Sequence, residues 1–100
     1  MSDHEALAQL LGAYLNQDWS DDYVDIWAGI DEFISDERIL AGRVREEVNS
    51  VLVEYPSEAA LRVLLTTELH SGYWPGDGPF AHRDWLREVA DYIDSRLVGE

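Results

Sequence analysis

This 100-residue sequence predicts an all-α fold, a compact bundle of about five short amphipathic helices. Three observations lead there. Apolar residues recur at three- and four-residue spacing along most of the chain, which is the period of one helix face. The alternation that marks strands is absent. Glycine and proline gather in one stretch, Gly72 to Pro79, which reads as the main loop.

The first helix is expected from about Asp3 to Leu15. Ser2 or Asp3 caps it, acids occupy its first turn, and Leu7, Leu10, Leu11, Tyr14 and Leu15 form its apolar face. Asn16 to Asp22 is turn-rich. A second helix follows over about Tyr23 to Ser35, with Tyr23, Ile26, Trp27, Ile30, Phe33 and Ile34 on one side. A third, about Glu37 to Glu54, carries Leu40, Val44, Val48, Val51 and Leu52 inward and Arg43, Arg45, Glu46 and Glu47 on its wet face. Pro56 forbids its continuation, and Ser57 reads as the N-cap of a fourth helix ending near His70. Leu61, Leu64, Leu65 and Leu69 point inward there, with Gly72 as its C′ residue. The last helix begins near Ala81 to Asp84 and carries Trp85, Leu86, Val89, Ile93 and Leu97. Together they predict one domain over residues 1–100, each helix giving one face to a shared core.

Charge is the most informative bulk property. Twenty-one acids face seven bases, all of them Arg, for a formal net charge of −14. Ten of the acids precede Arg38, where there is no Lys or Arg at all. Acidity also serves solubility, but its concentration in the first third points to a partner. Such a field repels nucleic acid and anionic lipid, and it speeds encounter with a basic surface. No direct nucleic-acid or membrane contact is therefore expected. The N-terminus lacks the basic run and apolar stretch of a signal peptide, and no apolar run is long enough to span a bilayer, so the expected location is the cytoplasm.

Catalysis lacks its residues. With no Cys, thiol chemistry and cysteine-ligated zinc are excluded. His4, His70 and His82 have no ligand spacing, and the acids from Asp18 onward lack the glycine of a calcium loop. The adjacent carboxylates Asp21-Asp22, Asp31-Glu32, Asp36-Glu37 and Glu46-Glu47 diverge around a helix and read as solvated faces. No Gly-x-Ser-x-Gly or phosphate loop occurs, and the Asp-Ser-Leu attachment site of an acyl carrier protein is missing. The expectation is a non-enzymatic binding protein with no cofactor and no metal.

The candidate binding residues form two groups. Asp18, Trp19, Asp21, Asp22, Tyr23 and Asp25 surround a turn, continued on the next helix by Asp31 and Glu32. Aromatics there would anchor a partner and acids would steer it. The loop contributes Tyr73, Trp74 and Asp77. Trp19 and Tyr23 could equally pack inward, and the loop could fold back as a plug; the sequence leaves both open.

The run Leu10-Leu11-Gly12-Ala13-Tyr14-Leu15-Asn16-Gln17-Asp18-Trp19 resembles the opening block of a family of contact-dependent growth inhibition immunity proteins. Ala28, Asp31 and Phe33 are similar to its second block, and Tyr73, Pro75, Gly78 and Arg83 to Val89 to its end. At Leu15-Asn16 the family more often has an aromatic followed by His. The resemblance implies a bacterial cytoplasmic protein that binds the C-terminal toxin domain of a matching effector, often a nuclease, and neutralises it. The alternative from the residues alone is an acidic adaptor or nucleic-acid mimic that binds a cellular nucleic-acid-binding protein.

Overall fold

The structure, a computed structural model, describes residues 4–76 and 78–98. The Ser2 or Asp3 cap lies outside them. Among the described residues there is no strand, and the helices pack as a compact globule with a Cα radius of gyration of 12.5 Å. In chain order the α-helices are α1 (Glu5–Gln9), α2 (Trp19–Asp22), α3 (Ile26–Asp36), α4 (Arg38–Ala41), α5 (Val44–Glu54), α6 (Glu58–Val63) and α7 (Ala81–Val98). Two π-helical turns, Leu10–Tyr14 and Leu64–Glu68, continue α1 and α6.

The apolar stripes read from the sequence meet in the centre. Leu7, Leu10, Leu11, Leu15, Ile30, Phe33, Val44, Val48, Val51, Leu61, Leu65, Leu86 and Ile93 are buried, with Trp85 and Val89 beside them. Tyr14, Trp27, Leu40 and Leu97 are partly buried at its margin. Helix α7, the longest, is the spine: α5 and α6 lie along it, and α3 reaches it through its C-terminal half. That last contact is polar at its edge. The Tyr92 hydroxyl donates to Asp31 at 2.7 Å, Arg96 donates to both Asp31 oxygens, and Trp27 packs on Tyr92 with ring centroids 4.8 Å apart.

Four boundaries differ from the sequence expectation, each for a local reason. The turn-rich segment after Asn16 winds into the single helical turn α2. The next helix starts at Ile26 rather than Tyr23, because extended Asp25 caps it, its carboxylate accepting from the Ala28 N–H at 2.9 Å. The expected third helix is two helices. The chain tightens at Gly42–Arg43, where the Arg43 N–H bonds to the Leu40 carbonyl three residues back. At the end of α6 the left-handed residue is His70, at φ 60°, not Gly72. Ser57, by contrast, caps α6 as expected, accepting from the Ala60 N–H at 3.1 Å.

The redirection at Gly42–Arg43 has a structural consequence. It turns Glu47 inward, where it is only 5% exposed, correcting its assignment to the wet face. Its two carboxylate oxygens accept from the N–H groups of Ala6 and Leu7 at 3.0 and 2.9 Å. These are orphan donors of the first turn of α1, so that helix is capped by a residue some forty positions away.

Candidate functional site

The two π-turns bring the ends of α1 and α6 together. Each replaces the usual bond to the fourth residue back with one to the fifth: Leu15 N–H to Leu10 carbonyl and Leu69 N–H to Leu64 carbonyl, both 3.0 Å. The Gly72 N–H then bonds to the Leu15 carbonyl at 2.7 Å, tying the segment after α6 to the one after α1. A Cβ on Gly72 would lie within 2.5 Å of the Asn16 carbonyl and the Gln17 nitrogen, so only glycine permits this approach.

Crossing there brings the two candidate groups side by side. Trp19 meets Tyr73 edge-on at 6.1 Å, and Tyr73 lies on Trp85 at 5.1 Å. Both Trp19 and Tyr73 are partly buried against the core, so they support the surface from beneath. Trp74 remains 49% exposed, with the Arg62 guanidinium over its ring and its edge toward His82. Asp77 lies outside the described residues.

Asp18, Asp21, Asp22 and Asp25 are exposed, and none has an ion pair among the described residues. Elsewhere some acids are matched by arginines, Glu5 with Arg43, Asp91 and Asp94 with Arg45, and Asp31 with Arg96, while exposed Glu46, Glu68, Asp84 and Glu88 have no ion pair among the described residues. Asp31 is thus committed to joining α3 and α7. Glu32 is exposed, and its carboxylate beside the partly buried Tyr23 joins with desolvation to push that hydroxyl up to about 12. Tyr23 is therefore neutral across the physiological range, a half-buried donor rather than a protruding anchor.

Between the crossing segments lies a polar cleft of about 290 Å³ lined by Asn16, Gln17, Asp18, Thr66, His70 and Ser71. Sequence reasoning found only Asp18 of this set. The other five come from two segments roughly fifty residues apart. The one available signal was that Asn16 and Gln17 fall inside the family-like block.

A second polar cluster is structural. Glu58, near the start of α6, accepts from the His82 backbone N–H at 2.9 Å and pairs with His82 Nδ1, which caps α7. Arg83 donates to the carbonyls of Leu52 and Pro56. Desolvation would raise the Glu58 carboxyl, but the His82 and Arg83 donors outweigh it and hold it below the usual range. Asp31 is likewise held low by Arg96 and Tyr92 against its own desolvation. A carboxyl whose folded pKa is depressed stabilises the fold above its unfolded pKa, and that contribution is lost as pH falls through the folded value. Glu58→Gln and Asp31→Asn should therefore lower Tm at pH 6, with the gap to wild type narrowing as pH falls below about 4, the ordinary carboxyl range. Thermal melts across that window check it; a gap constant with pH would contradict the assignment.

Among the described residues no group of three potential ligands could hold a metal ion, and no helix is long and apolar enough to cross a membrane. A family model described as CdiI immunity protein matches residues 3–93 of the chain. No curated protein and no solved structure matches it.

Proposed function

Since the chain belongs to the CdiI immunity protein family, a family of toxin-neutralising proteins, we propose that it binds its cognate toxin through the acidic face formed by Asp18, Asp21, Asp22 and Asp25. The toxin partner is the C-terminal domain of a contact-dependent effector, met in the cytoplasm, and its complementary surface is basic. A nuclease cleft is such a surface, because it must hold phosphate. Inhibition works by occupation rather than chemistry.

The observation that carries this reading is the concentration of exposed, unpaired acids in one short segment. Four exposed acids without an ion pair among the described residues fall within the eight residues from Asp18 to Asp25, in a third of the chain that has no Lys or Arg. Half-buried Trp19, Tyr23 and Tyr73 stiffen that face, and exposed Trp74 supplies an anchor beside it. Glu32 extends the field along α3. Asp31 contributes through its hold on Tyr92 and Arg96, and Asp77 adds charge to the loop.

Steering by exposed charge acts mainly on the association rate. Neutralising Asp21 and Asp22 together should slow association with the toxin domain encoded beside this gene by about tenfold at low salt. The difference should shrink toward physiological ionic strength and above. Stopped-flow mixing over a salt series measures it. A rate unchanged by the double variant would move the interface off this face.

A further inference from the structure

We infer that the cleft between the two π-turns is a receptor for one cationic side chain, an arginine or lysine, projecting from the basic surface of the toxin. This deepens the proposed function and rests on it. Three features of the cleft point to a cation.

First, it lies where two helices end. The last carbonyls of a helix have no partner within it and carry the negative end of its dipole. Here the C-terminal turns of α1 and α6 are joined by the Gly72–Leu15 bond, so the cleft lies beside both C-terminal ends. Second, the lining offers acceptors and one full charge. Asp18 supplies the carboxylate, Asn16 and Gln17 supply amide oxygens, and Thr66 and Ser71 supply hydroxyls, with the His70 side chain beside them. No Lys or Arg lines it. Third, it is large enough. About 290 Å³ is far beyond the roughly 10–15 Å³ that a single water needs.

The arrangement suits a guanidinium, whose planar fork of donors can meet a carboxylate and carbonyls together. Asp21 and Asp22 lie outside the cleft, in the helical turn that follows Asp18. They draw the toxin in; the cleft holds one residue of it. Association and retention are thereby assigned to different acids.

The test separates the two. Asp18→Asn, and Thr66→Arg, which fills the cleft with a cation of the chain's own, should each weaken toxin binding at least tenfold, mainly by faster dissociation. Circular dichroism melts confirm that both variants fold. If the Asp21 and Asp22 double variant slows association while both cleft variants dissociate like wild type, the receptor is wrong and the acidic-face reading stands. If none of the variants changes binding, both fall. A second arm needs no toxin. Arginine amide titrated into labelled full-length protein should produce saturable NMR shifts at Asn16, Gln17 and Ser71 that Asp18→Asn abolishes. Shifts spread evenly over the acidic surface would overturn the receptor. So would spermidine saturating these amides with the toxin unable to displace it, which would make the occupant a free polyamine.

Discussion

Gly72→Ala should be among the most disruptive single-atom additions possible in this protein, costing about 2–4 kcal/mol. The added Cβ falls within 2.5 Å of the Asn16 carbonyl and the Gln17 nitrogen. Both are backbone atoms, so no rotamer change relieves the overlap. Relief requires parting the α1 and α6 ends, which breaks the Gly72–Leu15 hydrogen bond and opens the cleft. Urea denaturation of the variant measures the loss. Gly78→Ala is the matched control, because nothing lies within 4 Å of its Cβ position; it should change stability by less than about 0.5 kcal/mol. Equal behaviour of the two variants would refute the close crossing.

Glu47→Ala carries the second large effect, about 3 kcal/mol. Its loss leaves the Ala6 and Leu7 N–H groups without acceptors in a buried place. Each unsatisfied buried donor costs about 1–3 kcal/mol. Arg43, which reaches both Glu5 and Glu47, loses one of its carboxylates as well. Glu47→Gln keeps one acceptor oxygen and should lose about half as much. The discriminating readout is hydrogen exchange: the Ala6 and Leu7 amides should exchange much faster in Glu47→Ala, while α7 retains its protection relative to the global stability. Uniform acceleration scaled only to global stability would deny the capping role.

These two residues also mark where the sequence stopped being readable. The apolar stripes were fully legible, because helical periodicity is local: Leu10, Ile30, Val48, Leu65 and Ile93 all sit where three- and four-residue spacing puts them. The Ser57 cap was legible for the same reason. Glu47 was not. Its neighbours in sequence are polar, and its partners lie on another helix about forty residues away. Gly72 was noticed and given the wrong task. A glycine after a helix usually relieves the left-handed C′ position; here His70 takes that conformation, and Gly72 is needed for a tertiary contact instead. The π-turns left no mark in the apolar pattern, since each is the last turn of its helix and no later helical residue is displaced by it.

For the candidate surface, the charge asymmetry carried no geometry. Asp18 and Asp31 look alike in sequence, both acids close to aromatics. In the fold Asp31 is paired with Arg96 and Tyr92, whereas Asp18 faces a cleft. The burial of Trp19 against Tyr73, and of Tyr73 against Trp85, settles which way those rings turn.

The central claim is that the unpaired acids beside the cleft are what neutralise the toxin. Growth of cells expressing the toxin domain encoded beside this gene tests it most directly, with wild-type protein or the Asp18→Asn, Asp21→Asn, Asp22→Asn triple variant supplied together with it. The account predicts that wild type restores growth and that the triple variant, folded and equally abundant, does not. Full protection by the triple variant would contradict it.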